Sequence, residues 1–182
     1  MTDTRPFPIP GGRRVDKAAM LRVDHAGEYG ATRIYAGQRA VLGDRHPASR
    51  PIAAMATQEE RHLAQFDAMM TRDGVRPTVL QPIWHVAGFA LGAATALMSP
   101  EAAMACTAAV ETEIDRHYAE QLTELGETDP PLSETIAEFQ REELEHREIA
   151  LREGAERAPA YPLLSGVIRL GCRAAIALSK RI

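Results

Sequence analysis

Two short stretches pair a carboxylate with an imidazole at the same spacing: Glu59-Glu60-Arg61-His62 and Glu143-Leu144-Glu145-His146. Three residues along an α-helix is about 300° of rotation, so each Glu lands beside its His on one face. Apolar residues continue that face in both directions, which marks it for burial. A carboxylate and an imidazole buried together need compensation for the water they lose, and a metal ion supplies it. A single Glu-x-x-His is ordinarily a surface contact between neighbouring helical residues. Two of them, both on apolar stripes, ask for more.

The stripes can be followed residue by residue. One runs Ile52, Met55, Ala56, Glu59, His62, Leu63, Phe66, Met70; another runs Leu132, Ile136, Phe139, Glu143, His146, Ala150. Two further stripes each bring in another acid. They are Leu21, Asp24, Glu28, Ala31, Tyr35, Leu42 and Met104, Ala108, Glu111, Asp115, Tyr118, Leu122, Leu125. The neighbouring Glu60, Glu142 and Glu145 fall off the stripes and read as solvated, and Glu113 is off its stripe too. The inward set is therefore Glu28, Glu59, His62, Glu111, Glu143 and His146. One Glu from each of two helices, with a Glu-x-x-His from each of two others, is the di-iron or di-manganese arrangement of ferritin-like bundles.

The two halves repeat. Glu28 precedes Glu59 by 31 residues and Glu111 precedes Glu143 by 32; Tyr35 and Tyr118 each follow their Glu by seven. This reads as a duplicated helix pair with an apolar helix in the crossover. Four ionised Glu in one core would repel, and several would be forced to protonate. Two divalent cations cancel those charges, and six protein ligands leave positions open for oxygen.

Supporting residues carry weaker signals. Asp24 and Asp115 are each placed to hold a ligand His by its second ring nitrogen, or are ordinary N-terminal or surface acids. Tyr35 and Tyr118 are candidate hydrogen-bond donors to the ligands, or simply core tyrosines. His25 and His117 lie off the stripes and read as surface residues. His46 and His85 have no ligand spacing. Gly27 and Gly30 flank Glu28 inside a helix, at about 1 kcal/mol each against Ala. They let a substrate, oxygen or another backbone come close; tight helix packing explains them equally.

The elements that must position these residues are all helical. Helices are expected from about Val15 to Leu42, Ser49 to Thr71, Pro82 to Met98, Pro100 to Leu125, the Pro130–Ser133 region to Glu153, and beyond Pro162 to about Lys180. Asp16 falls in the first turn of the first. Ser99 caps the fourth, with Pro100 in its first position. Glycines follow the second, fourth and fifth. No run alternates with period two, so no strand is expected. Residues 1–14, ending in a Pro- and Gly-rich run, read as an extended arm without a signal or transit peptide. Residues 15–182 read as one domain, long enough for its own core.

Composition limits the partners. The chain has 182 residues and a net charge of -4 without like-charge blocks, so nucleic acid is not expected. Cys106 and Cys172 are the only cysteines, which excludes a disulfide framework or a cysteine-ligated metal site and suits a reducing compartment. No Asp, Glu, Lys or Arg occurs from Pro77 to Pro100. That length could span a bilayer, although Gln81, Pro82 and His85 keep it only modestly apolar, and Gly88-x-x-x-Gly92 permits close helix contact. The last helix sets Leu163, Val167 and Leu170 beside a basic line of Arg169, Arg173 and Lys180, as in a helix lying on an anionic membrane. A buried crossover helix and a docked C-terminal helix are the soluble alternatives.

The run Leu21-Arg22-Val23-Asp24-His25-Ala26-Gly27-Glu28-Tyr29-Gly30-Ala31 closely resembles the first metal helix of the demethoxyubiquinone hydroxylase family. So do Arg76-Pro77-Thr78-Val79-Leu80, the stretch Ala102 to Thr107 and Glu142-Glu143-Leu144-Glu145-His146. The resemblance runs from about Val15 to the C-terminus. It implies an all-α, ferritin-like four-helix bundle with a di-metal centre and two additional apolar or amphipathic helices. It implies two iron ions held by Glu28, Glu59, His62, Glu111, Glu143 and His146, with O2 as co-substrate. The activity it implies is hydroxylation of 5-demethoxyubiquinol, the penultimate step of ubiquinone biosynthesis. Its expected partners are a prenylated quinol, a membrane surface, an external electron donor, a lipid-binding accessory protein and a homo-oligomer. The short arm resembles a bacterial member, peripheral on the cytoplasmic face of the cell membrane. Iron over manganese rests on the resemblance, since Glu and His serve both. The competing readings are a ferritin-like ferroxidase, oxidase or iron store with the same ligands, and a metal-free helical protein of the membrane surface. A tRNA hydroxylase of this fold is disfavoured by the acidic balance.

Overall fold

A computed structural model describes residues 15–181; the expected N-terminal arm lies outside them. The described chain contains six α-helices and no strand: α1 Lys17–Leu42, α2 Ser49–Asp73, α3 Gln81–Met98, α4 Pro100–Leu125, α5 Pro130–Arg152 and α6 Tyr161–Ser179. Local chemistry accounts for the ends. Asp16 caps α1 by accepting from the Ala19 amide, and Ser99 caps α4 by accepting from Ala102, at 3.0 Å each. Such caps contribute about 1 kcal/mol apiece. The cap of α5 is Asp129, which accepts from Leu132, rather than anything near Ser133. Gly74 is left-handed at the end of α2. A 3-10 turn, Ala155–Arg157, joins α5 to α6 and was not expected from the sequence.

The architecture is the expected all-α, ferritin-like bundle. α1 packs on α2 and α4 packs on α5, and the two pairs meet more sparsely, α1 against α4 and α2 against α5. α3 then lies along the outside of α1, and α6 along the outside of α4. The repeat is thus three helices, α1–α3 and α4–α6, rather than a pair with a lone crossover. The α1–α3 contact is very close. A Cβ on Gly92 would strike the Ile34 carbonyl, and one on Gly37 would strike that of Phe89.

The core is split along the bundle. One apolar layer gathers Tyr35, Ile52, Met55, Met104 and Ala150. A second gathers Leu21, Phe66, Tyr118, Leu125, Leu132, Ile136 and Phe139, and a third, smaller cluster of Ile34, Cys106, Ala109, Val110 and Ile168 seats the outer helices. Between the first two lies a layer of ionisable side chains. Burial there requires internal partners, because unpaired charge in a core is expensive.

Two sequence expectations fail here for one reason. His25 and His117 are buried rather than on the surface. α1 and α4 are each covered on two sides, by α2 and α3 or by α5 and α6, so a single stripe understates what they bury. Glu113, off the α4 stripe, is likewise fully buried under α6. It accepts from Arg169 at 2.6 Å, from Arg173 at 2.8 Å and from Arg116 at 3.0 Å. Those guanidiniums, Arg173 foremost, hold its carboxyl down at about 2 against burial. The expected basic line on α6 is therefore largely turned inward: Arg169 and Arg173 fasten α6 to α4. Its apolar side remains open, with Leu163, Val167 and Leu170 exposed. α3 is similarly open at Ile83, Val86 and Leu97. By length and composition, α6 is the one described helix that could cross a membrane; the uncharged 77–100 segment does not qualify.

Candidate metal centre

Glu28, Glu59, His62, Glu111, Glu143 and His146 come from four helices and meet in the ionisable layer, each at most 1 % exposed. Their donor atoms form two overlapping quartets, Glu28–Glu59–His62–Glu143 and Glu59–Glu111–Glu143–His146, each within 4.8 Å. Glu59 and Glu143 belong to both quartets. His62 Nδ1 lies 3.4 Å from Glu28 and 3.1 Å from Glu143. His146 Nδ1 lies 3.0 Å from Glu59 and 3.3 Å from Glu143. These atoms are close, yet not aligned as hydrogen bonds. Both oxygens of Glu59 and Glu143, Oε2 of Glu28 and Glu111, and both Nδ1 atoms have no hydrogen-bond partner. Orphaned buried polar atoms are rare and costly. Eight of them converging on one space, as oxygen and imidazole nitrogen, fit a pair of divalent cations.

Every other polar atom of the set is occupied, and by the opposite half of the chain. Tyr118 of α4 donates to Glu28 Oε1 on α1, and Tyr35 of α1 donates to Glu111 Oε1 on α4 at 3.0 Å. His62 Nε2 of α2 meets Glu142 of α5 at 2.8 Å; His146 Nε2 of α5 meets Gln58 of α2 at 2.9 Å. With its outer nitrogen protonated toward these acceptors, each ring presents the Nδ1 lone pair inward. A further layer repeats the crossing. Gln121 donates to Asp24 at 2.8 Å, and Gln38 donates to Thr107 at 3.4 Å.

The electrostatics show what the cluster lacks. Burial pushes the carboxyls of Glu59 and Glu111 well up, and repulsion from Glu143 adds to it. Burial pushes Glu143 the same way, but His146 and His62 beside it hold it low. Burial also raises Tyr35 and Tyr118, which keeps both hydroxyls protonated as donors. Without cations, protons must do the neutralising.

Beside this layer lies an apolar cavity of about 440 Å³ between α1, α3, α4 and α6. Its wall includes Gly27, Gly30 and Ala31 around Glu28, and Val110 next to Glu111. An added Cβ on Gly27 or Gly30 would meet nothing within 4 Å, so both leave space here, while the Gly30 carbonyl also lies close against Gly88 of α3. At another part of the wall the Trp84 indole donates to Ser179 at 3.1 Å, tying α3 to the end of α6.

A family model for ubiquinone biosynthesis protein COQ7 matches residues 16–179. The chain belongs to the COQ7 family. It is 55 % identical over 162 residues to a Rhodospirillum rubrum protein named 3-demethoxyubiquinol 3-hydroxylase, covering 89 % of this chain and 76 % of that one. It is 54 % identical over 167 residues to the human NADPH-dependent 3-demethoxyubiquinone 3-hydroxylase, mitochondrial, covering 90 % and 76 %. A Saccharomyces cerevisiae protein, 5-demethoxyubiquinone hydroxylase, mitochondrial, is 41 % identical over 179 residues, covering 90 % and 77 %.

In this COQ7 chain the six expected ligands lie together, and Tyr35 and Tyr118 touch two of them. The other two supporting residues do not hold a ligand histidine. Asp24 accepts from Gln121 and faces His117 at 3.2 Å. Asp115 accepts from Gln140 at 2.7 Å. The residues that do hold the rings, Glu142 and Gln58, were missed, and Glu142 was expected in solvent. A signal existed: each immediately precedes the Glu of a Glu-x-x-His, so the two motifs match over five residues. Glu60 and Glu145 are exposed as expected.

Proposed function

We propose that this COQ7 chain is a 3-demethoxyubiquinol 3-hydroxylase, the 5-demethoxyubiquinol hydroxylase of ubiquinone biosynthesis, working as an O2-dependent di-iron monooxygenase. The supporting observation is the pair of orphaned donor quartets beside an apolar cavity. Glu28, Glu59, His62 and Glu143 would hold one ion; Glu59, Glu111, Glu143 and His146 would hold the other. Bound iron would supply the reductive activation of dioxygen, for which no side chain is equipped.

The protein's own groups do the rest. Four carboxylates offset the ionic charge. Tyr35 and Tyr118 fix Oε1 of Glu111 and Glu28, leaving Oε2 of each free to hold an ion. The apolar wall excludes water and suits a prenyl tail, while the gap at Gly27 and Gly30 gives a flat ring access to the Glu28 side. One oxygen atom enters the ring and the other leaves as water, so two electrons must come from outside; the sequence carries no dinucleotide-binding glycine pattern. The exposed apolar faces of α3 and α6 border the cavity and suit a peripheral position on a membrane, where such a quinol resides.

The deciding experiment loads the metal-free chain with iron anaerobically, reduces it and adds a short-tailed demethoxyquinol with labelled dioxygen. One heavy oxygen in the ring is expected. Oxygen consumption with no label in the ring would favour a ferroxidase or oxidase instead.

A further inference from the structure

The centre is symmetric in nearly everything but one bond, and that bond lies outside it. Across the repeat, Tyr118 on Glu28 matches Tyr35 on Glu111, and Glu59 matches Glu143. The holders of the two histidines do not match. His62 donates to a carboxylate, Glu142, and His146 donates to a neutral amide, Gln58. The surroundings widen the difference. Glu142 is anchored by Arg61, which also reaches Glu138 at 3.3 Å. The Arg61 guanidinium lies 5.7 Å over the Phe139 ring, and Phe139 stacks on His62 at 3.9 Å. The residue matching Arg61 in the other motif is Glu145, which is exposed, and the one matching Phe139 is Met55.

An imidazole N–H bonded to a carboxylate makes a charge-assisted bond, roughly twice as strong as one to a neutral acceptor. It pushes electron density toward the other ring nitrogen and makes that nitrogen the better ligand. Resting on the di-metal reading above, we propose that Glu142 and Gln58 make the two metal positions unequal, with the Glu28–His62 position binding its ion more tightly than the Glu111–His146 position. Both are positioning residues: neither faces the space between the quartets, and each acts through the ring it holds. The first ion to load takes the Glu28–His62 position, and the Glu111–His146 position is the first to empty under a chelator.

The test uses the metal-free full chain and Co(II) under anaerobic conditions, with calorimetry for affinity and anomalous diffraction at one Co(II) per chain for location. In the unsubstituted chain, cobalt should concentrate at the Glu28–His62 position. Glu142→Gln, which keeps size and hydrogen bonding but removes charge, should weaken that position about 10–100-fold and spare the other. Gln58→Glu should strengthen the Glu111–His146 position, a gain that damaged folding would not produce. The double exchange should invert the order of loading. Equal occupancy in the unsubstituted chain, or equal weakening of both positions by Glu142→Gln, overturns the proposal. Failure of the unsubstituted chain to bind any cobalt overturns the di-metal reading itself and takes this proposal with it.

Discussion

At the scale of single residues, His62 shows how a proton would compete with the proposed metal at this centre. Burial alone would lower its pKa, but the facing carboxylates of Glu143 and Glu28 more than offset burial and lift it from 6.5 to about 10 in the metal-free chain. Its protonation therefore stabilises the metal-free fold fully below pH 6.5, and this contribution is lost as pH rises through about 10. A cation that takes Nδ1 must expel that proton. Metal affinity should accordingly climb as pH rises toward about 10, with proton release on binding at pH 8. Calorimetry in two buffers of different ionisation enthalpy measures it; a binding heat independent of buffer would contradict the scheme. The six inward residues were readable from sequence because helical periodicity places them on apolar stripes, where their shared burial stands out. Glu142 and Gln58 were only faintly legible: their shared place before each Glu-x-x-His marks them as a pair, but their partners lie on another helix of the other half, and no pattern within one helix names a contact across the bundle.

At the scale of elements, the outer helices decide the shape of the site. α3 approaches α1 so closely that Gly92 has no room for a methyl group against the Ile34 carbonyl. Gly92→Ala should shift α3 outward and cost about 1–3 kcal/mol, the usual penalty of overpacking. Urea unfolding would detect it, and an unchanged midpoint would mean that α3 is not seated as described. The Gly88-x-x-x-Gly92 spacing made this contact readable in advance. The inward turn of Arg169 and Arg173 was not readable, because α6 places them beside apolar residues just as a membrane-surface helix would. Only the buried Glu113 opposite them distinguishes the two, and Glu113 itself is hidden from a reading that grants α4 one buried face.

At the scale of the whole molecule, the cavity lies between the outer helices α3 and α6 and the helices α1 and α4 that carry Glu28 and Glu111, and Gly30 lies in its wall. Gly30→Leu should fill part of that space without touching a ligand. We expect KM for a demethoxyquinol to rise at least about tenfold, equivalent to about 1.4 kcal/mol of binding, with the content of bound metal unchanged. Stability should hold or rise by up to about 1 kcal/mol, as a helix-interior glycine is removed. Steady-state kinetics beside metal analysis would show it, and an unaltered KM would place the quinol elsewhere.

The crossed bonds carry a last implication, one about ancestry. Tyr35 serves Glu111, Tyr118 serves Glu28, Gln58 serves His146 and Glu142 serves His62. Each three-helix half thus keeps the groups that the other half's ligands need, and neither could have been a working unit alone. If the halves arose by duplication, the single-copy forerunner was already a two-fold dimer, with the two donor quartets exchanged by its symmetry axis. Fusion then freed the two copies to diverge, and the exchange of one outer acceptor between amide and carboxylate is a difference that a strict homodimer could never have held.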